Sequence, residues 1–576
     1  MSKHMGEAAV PITRLNAQWL NARSVPCAVV PGVLLGFALV VGANVMAHHA
    51  GNLSNAATWG AILLTGAACS LLLLGLFWLL SRVPSRGGRL RWNEHPLATL
   101  LAAGIIFACW LPYFLALYPG AYSYDTPTQV AQVMGVIPMT TQHPVVHTLL
   151  IGFFVWLGKD VLGSYVTGMA LCTILQMAVT ALAFGYTATA VGRVVRSTVG
   201  YVVALVWFAL FPVNGLMAVS CTKDVYFTAA FCWFLALFVQ ALQRGERPTV
   251  SRLVPLGTAG LAALLLRNNM TYAWAVFCVV VTVVAFVRAL RHRAAQRGRG
   301  LSLVVTLWVA LALSWLVTGP IYAAGGVSHD INLRESLSLP SQQMARVVAR
   351  KGEISVRDER ALERLIPGLT AETYHPYLAD YAKSALDMDY LPDHMDEFWK
   401  TYRSIGSENV DDYVDAFLEL TVTAWYPLVP GNLGKPYLEL EVSNWYDTLD
   451  AADYYIPHEP VLPELASAIY DAVEVRPWEG VPILRLLMSQ GFLVWPPVVA
   501  FFWLLSSRKN AVRALPLVLP LLYWGTLLLG PTIITRYVYP LCALEPVVIA
   551  LVVSGMQGRD RAEVRMPRPR RTAARP

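Results

Sequence analysis

The chain has 576 residues, of which 56% are hydrophobic and only 14% charged. A soluble domain usually carries about 25% charge, so this composition excludes an ordinary soluble protein. Apolar runs of about 20 residues recur, each long enough to cross roughly 30 Å of hydrocarbon. The formal net charge is +7, and its distribution along the chain is more informative than its value.

Twelve candidate spans follow in chain order: 29–48, 59–80, 97–118, 166–191, 200–218, 224–243, 253–270, 271–290, 303–320, 485–506, 513–530 and 536–555. The first is too long, and too closely followed by the second, to read as a cleaved leader. The stretch 253–290 holds two spans only if the chain turns tightly at LLRNNMTY, residues 265–272. The eight cysteines fall mostly within apolar runs as small buried residues and show no metal-ligand spacing.

Basic connectors set the expected topology. They are SRVPSRGGRLR (81–91), GRVVR (192–196), QRGERPTVSR (243–252), RALRHRAAQRGRG (288–300) and SSRKNAVR (506–513), with a basic tail after Gly555. Short basic connectors remain on the cytoplasmic side. An inside N-terminus places all five connectors and the tail inside. The apolar stretch 143–158 would invert every later loop if it crossed, so it reads as a helix lying in the outer leaflet.

The extracytoplasmic side then receives the 119–165 loop, residues 220–224, the turn at 267–269, the loop 530–537 and the whole segment 321–484. That segment holds 28 acidic and 12 basic residues, a formal net of −16, against +23 for the remainder. The basic half is explained by anionic lipid at the inner surface and requires no nucleic acid. The expected organisation is a transmembrane module (1–320) with the 119–165 outer loop, an acidic extracytoplasmic domain (321–484), C-terminal transmembrane helices (485–556) and a disordered basic cytoplasmic tail (557–576). Within the acidic domain, 338–352 and 356–366 mix apolar and charged residues at helical spacing. Residues 411–429 read as a helix ended by Pro427. The fold class is therefore all-α and polytopic, with a mainly helical outer insertion.

Polar groups gather at span ends on the outer side. Asp125 stands without a charged neighbour in YPGAYSYDTPTQ; Lys223 and Asp224 open one span; Arg267, Asn268, Asn269 and Tyr272 surround a turn; Arg536 and Tyr537 open the last span. Arg334, Glu335, Gln342, Gln343 and Arg346 follow the ninth span, and Tyr122, Tyr124, Gln129, His143 and His147 flank Asp125 in the outer loop. Each has a plainer use. Lys223 and Asp224 suit a helix end, Arg536 suits snorkelling to headgroups, Asn268 and Asn269 suit a turn, and the 342–346 group suits the wet face of a helix. Ionisable groups at this depth are costly unless they face a cavity or one another, which favours convergence on an outward cleft. There a carboxylate can deprotonate a hydroxyl, while Arg or Lys holds a lipid phosphate. That combination suits sugar transfer from a polyprenyl-phosphate donor, and no nucleotide-phosphate loop is present.

The segments YPGAYSYDTPTQ, HPVVHTLLIG, SCTKDVYF, LLRNNMTY, SLSLPSQQMARV and TRYVYP, in that order, resemble the GT-C superfamily of polytopic glycosyltransferases. More narrowly they resemble a bacterial and actinobacterial membrane-protein group. The resemblance implies that Asp125 is catalytic and that Lys223, Arg267 and Arg536 contact the donor phosphate. It further implies an inverting transfer at the outer face of a bacterial plasma membrane, to a cell-envelope glycan, lipid or protein acceptor. The chain departs from the pattern in having two extra initial spans, a single carboxylate in YSYDT, and its outer domain inserted between spans nine and ten. The single carboxylate leaves the base assignment and metal dependence open, the candidate divalent cation being Mg or Mn. The alternatives are a transporter or lipid flippase, and a non-enzymatic envelope scaffold.

Overall fold

A computed structural model describes residues 23–82, 96–122, 125–243, 248–291, 294–328, 331–429 and 459–563. Of the expected disordered tail, residues 557–563 instead continue the last helix, while residues 564–576, most of the 81–91 connector and residues 1–22 lie outside the described residues. Twelve helices precede the insertion. They are α1 (Ser24–His48), α2 (Ala56–Arg82), α3 (Pro96–Ala116), α4 (Asp125–Val133), α5 (Val145–Trp156), α6 (Tyr165–Val195), α7 (Thr198–Leu210), α8 (Pro212–Val219), α9 (Lys223–Gln243), α10 (Val250–Leu266), α11 (Met270–Arg291) and α12 (Ala294–Leu316). The insertion contributes α13 (Ile331–Ser336), α14 (Ser338–Arg350), α15 (Val356–Leu365), α16 (Asp380–Ser384), α17 (Met395–Glu408), α18 (Val410–Thr421) and α19 (Pro463–Val475). The chain then continues through α20 (Pro482–Met488), α21 (Trp495–Leu505), α22 (Leu515–Leu527) and α23 (Thr535–Glu563).

Among the described residues, eight helices are long and apolar enough to cross a membrane, and up to ten if each of two bent pairs is one span. The chain is thus an all-α, multi-pass membrane protein. Each of the twelve expected segments falls on helix, but the expected twelve spans are not reached: those at 253–270 and 513–530 fall on the shorter apolar helices Val250–Leu266 and Ala511–Leu527, and two others are not single rods. Residues 200–218 form α7 and α8, bent by 51°. Phe211 is extended (ψ 120°) immediately before Pro212, because a proline disfavours helical backbone in the residue before it. Residues 482–505 bend by 78°, at Ser489, which is likewise extended.

Two helices lie at the centre. The membrane windows of α9 and α23 are 78% and 83% buried, whereas those of α2 and α12 are 33% and 22% buried. The outer helices turn leucines outward, with Leu64 and Leu72 of α2 more than 70% exposed, as a lipid-facing surface requires. At the edge, α1 and α2 cross closely. A Cβ on Gly36 would lie 2.4 Å from the Gly66 nitrogen, so small residues set the approach of the two backbones. The stretch 143–158 is the short helix α5, running into a π turn at Leu157–Val161.

The insertion has its own apolar core, in which Leu337, Met344, Val347, Leu365, Phe398 and Ile405 are buried together. The helices expected over 338–352 and 356–366 are α14 and α15. The helix expected to continue to Pro427 instead ends at Thr421, tightening into a 3₁₀ turn at Val422–Ala424. The Thr421 hydroxyl donates to the Phe417 carbonyl at 2.7 Å and accepts from the Trp425 indole at 3.0 Å. That local bonding closes the helix before the proline is reached.

Candidate functional site

Short backbone bridges assemble the site. Residues 119–122 leave α3 through Gly120, whose φ of 142° and contact with Thr173 leave no room for a side chain. Ala121 donates to the Val219 carbonyl at 2.9 Å, and Cys221 donates back to the Ala121 carbonyl at 2.9 Å. This parallel bridge sets the start of α4 beside the start of α9, and Thr126 pins it by donating to the Cys221 carbonyl at 2.7 Å. A second parallel bridge, Thr140 to Ser328, fixes the loop that carries His143. Asn268 then donates to the Thr141 carbonyl at 2.9 Å, drawing the α10–α11 turn onto the same loop.

Asp125 is the first residue of α4, and its side chain is 9% exposed. Lys223 donates to its Oδ2. Arg536 grips both oxygens, at 3.2 Å to Oδ1 and 3.1 Å to Oδ2. His143 Nδ1 lies 3.8 Å from Oδ2 and 3.3 Å from the Lys223 Nζ. Asp224, fully buried, pairs with Arg267 and lies 3.8 Å from the Arg536 Nε. Three cations therefore face two carboxylates, leaving one positive charge in excess, with no side chain of the five more than 12% exposed.

Aromatic rings and amides hold the cations in place. The Arg267 guanidinium stands 4.4 Å from the Tyr537 ring centre and 5.7 Å from that of Tyr523, while Arg536 lies 5.1 Å from Tyr537. Arg267 Nε donates to Asn269 Oδ1 at 3.1 Å, and Asn269 donates onward to Thr526 at 2.9 Å. Thr222 donates to Asp224 Oδ2 at 3.1 Å.

The electrostatics follow from this packing. Burial alone raises the proton affinity of Asp125, but Arg536, Lys223 and His143 together outweigh it and hold the carboxyl well below the usual carboxylate range. Burial pushes His143 down to about 4; Asp125 opposes that push, while Lys223 and Arg536 add to it. Burial likewise pushes His147 down to about 3. A hydrogen-bond chain fixes the His147 tautomer. Gln129 Nε2 donates to Thr148 Oγ1 at 2.9 Å, so Gln129 Oε1 accepts from His147 Nδ1 at 3.1 Å. His147 Nε2 then carries the lone pair, and it is buried without a hydrogen-bond partner.

The structure thus brings together Asp125, Gln129, His143, His147, Lys223, Asp224, Arg267, Asn268, Asn269, Arg536 and Tyr537. Other expected site residues stand elsewhere. Tyr122 does not line a cleft: its hydroxyl is consumed by the Met169 carbonyl at 2.8 Å and Thr173 at 2.7 Å. Tyr272 is 73% exposed on α11, because the helix turns it away from the cluster. Glu335 pairs with Lys383 at 2.7 Å, and Arg334 is a half-buried residue of the insertion. Tyr124 lies outside the described residues.

Gln342, Gln343 and Arg346 are neither a wet helix face nor part of the Asp125 cluster. Gln342 donates to the His375 carbonyl at 2.6 Å, and Gln343 donates to the Tyr413 carbonyl at 3.0 Å. Arg346 is buried in a second network with Glu419, Asp412 and Asp415, and it donates to the His49 carbonyl at 2.7 Å. His49 Nδ1 lies 2.8 Å from Glu419, so this network ties α14 and α18 to the α1–α2 connection.

Sequence reasoning missed Glu419, Thr222, Tyr523 and Thr526. Glu419 carried a usable signal, as a single carboxylate in the apolar run FLELTV. Thr222 and Thr526 carried none, because threonine is common in such segments. Among the described residues, no group of three or more His, Cys, Asp or Glu side chains is placed to hold a metal ion.

Residues 137–566, about three quarters of the chain, match the family described as "Family of unknown function (DUF6020)", and the chain belongs to that family. The matched stretch contains His143, Lys223, Asp224, Arg267 and Arg536, and begins twelve residues after Asp125. No curated protein and no solved structure matches the chain.

Proposed function

We propose that the Asp125 cluster is the active site of a GT-C-type inverting glycosyltransferase that uses a polyprenyl-phosphate sugar on the outer face of the plasma membrane. One observation carries the proposal. At one end of the central apolar helices, three fixed cations face two carboxylates, and the surplus positive charge suits a phosphate that arrives from the lipid. The acceptor is a cell-envelope glycan, lipid or protein hydroxyl.

In this reading the acceptor oxygen attacks the anomeric carbon and the bond from that carbon to the phosphate oxygen breaks. The electron pair leaves with the lipid phosphate, and Lys223 and Arg536 stabilise the charge left there. Asp125 is a weak proton acceptor while both cations hold it, because an effective base has a pKa near the working pH. A phosphate that draws Lys223 and Arg536 onto itself raises the proton affinity of Asp125, which then takes the hydroxyl proton. His147 Nε2, neutral and accepting, is suited to orienting a hydroxyl.

The test is transfer from a radiolabelled polyprenyl-phosphate sugar to envelope acceptors in membranes containing the protein. Asp125→Asn is expected to lower transfer by about 10²–10⁴-fold, the usual range for a positioned acid–base group. Retained transfer in that variant, with normal folding, sinks the catalytic role.

A second reading, a transporter or flippase, is favoured by Glu545 and by the two broken helices. Glu545 lies ten residues into α23, about 15 Å along its axis, with Oε1 buried and unpartnered, and a carboxyl at such depth marks ion pathways in many carriers. Proton-coupled uptake in proteoliposomes that is abolished by Glu545→Gln and untouched by Asp125→Asn selects this reading instead.

A further inference from the structure

A cleft at the far end of α9 and α23 lies well away from Asp125. Helix α9 begins at Lys223, against Asp125, and ends at Gln243, which lines the cleft. Helix α23 likewise carries Arg536 near its start and, 21 residues on, Gln557, another lining residue. Twenty-odd residues at 1.5 Å each put the cleft about 30 Å away, one hydrocarbon thickness from the carboxylate cluster. Its volume is about 340 Å³, within the range of small-molecule sites.

Arg196, Arg288, Arg508, Lys509 and Arg513 line this cleft, and among the described residues no acidic side chain lines it. They come from three separate stretches of chain, so their convergence is a product of the fold rather than of one basic run. The wall is braced. Gln243 donates to Ser554 at 3.0 Å, Gln557 donates to the Val195 carbonyl at 2.5 Å, and Asn510 donates to the Gly555 carbonyl at 3.0 Å. Arg513 is held by Asn510 Oδ1. Five like charges gathered on a braced wall repel one another unless an anion sits among them.

The anion is identified by what surrounds it. Val239, Leu242 and Leu551 supply an apolar floor. Arg288 stands on α11 among Val283, Phe286 and Leu290, which are all more than half exposed, a surface fitted to acyl chains. A soluble phosphate uses the cations and gains nothing from that apolar surface, whereas a lipid uses both. We propose that this cleft is a binding site for the phosphate headgroup of an anionic membrane lipid, in the leaflet opposite the Asp125 cluster. Spread-out juxtamembrane charge attracts anionic lipid generally; this cleft instead retains individual lipid molecules.

The test uses the full chain in nanodiscs of phosphatidylcholine doped with phosphatidylglycerol, followed by native mass spectrometry of retained lipid. The expected result is a defined small number of phosphatidylglycerol molecules held through delipidation, with retention falling at least about tenfold in Arg508→Gln/Lys509→Gln and in Arg288→Gln. The control is Arg82→Gln, at the same end of the bundle but outside the cleft, which leaves retention unchanged. Equal losses in the control and the cleft variants reduce the effect to general surface attraction and overturn the proposal. So does unchanged retention in both cleft variants. A competition arm adds inorganic diphosphate: tight binding of diphosphate to protein in pure phosphatidylcholine, with no preference for phosphatidylglycerol, assigns the cleft to a soluble anion and overturns the lipid. Melting temperatures of all variants verify that lost retention is not lost folding.

Discussion

The two ends of α9 and α23 use basic residues in opposite ways. At the Asp125 end, Lys223, Arg267 and Arg536 are interlocked with carboxylates and shielded from solvent. At the other end, five basic side chains line an open cleft that has no acidic lining residue among the described residues. A closed cluster of mixed sign satisfies itself almost completely, so its charges serve stability until a ligand competes for them. An open cluster of one sign contributes little to folding and calls for a partner. Burying charge is tolerable only when it is paired, which is why the difference in exposure and the difference in sign go together.

The contrast is broken most severely at Asp224, which is fully buried against Arg267. Asp224→Asn leaves that guanidinium buried without its carboxylate, and a loss of about 3–5 kcal/mol is expected, read as a lowered melting temperature in detergent. Asp125→Asn is expected to cost less stability, about 2–3 kcal/mol, because its site keeps slightly more access to water. Here a second substitution sharpens the comparison: Asp125→Asn/Lys223→Met removes one of the two stranded cations, the other being Arg536, and recovers part of the lost stability. Transfer activity stays lost in the double variant. Full recovery of both would mean that the pair is only structural.

The pH dependence comes next in size. His143 and His147 have folded-state values pushed down to about 4 and about 3, below the ordinary 6.5. Below pH 6.5 the unfolded chain binds protons that the folded chain refuses, so stability is full above that pH and falls as the pH drops toward 4. At pH 5 the loss is about 2 kcal/mol for each histidine. Asp125 works in the other window. Its depressed value contributes stability that is present above about pH 4 and is lost only in stronger acid. Melting curves between pH 7 and pH 5 check this, and His147→Gln is expected to flatten them. The smallest effect belongs to the open end, where Arg508→Gln/Lys509→Gln should change stability by less than about 0.5 kcal/mol.

How much of this was legible in the sequence depended on contrast. Asp125, Lys223, Arg267 and Arg536 stand out because each is an ionisable residue at the edge of an apolar run, where it is expensive. Their pairing was not legible, since Arg536 and Asp125 are 411 positions apart and no local pattern relates them. The helical segments were readable from hydropathy and basic connectors, but the breaks at Phe211 and Ser489 were not, because the apolar composition continues through both. Arg346, Gln342 and Gln343 were misplaced for a different reason. Helical spacing shows that three residues share a face, but not which neighbour covers it, and here the cover is α18 and the α1–α2 connection. Tyr122 and Tyr272 show the same limit for aromatic residues, one absorbed into packing and the other turned outward.

The span of 411 residues between Asp125 and Arg536 also orders the birth of the site. Synthesis delivers Asp125 first, then Lys223 and Asp224, then Arg267, and Arg536 only with the final helix. At about 5–20 residues per second, Arg536 follows Asp125 by roughly 20–80 s. Asp125 and Lys223 can meet early, across the Ala121–Ser220 bridge, and neutralise one another while the insertion folds. The cluster closes when α23 slots into the centre of the bundle, so the cell assembles the remaining helices before this centre acquires its last charge.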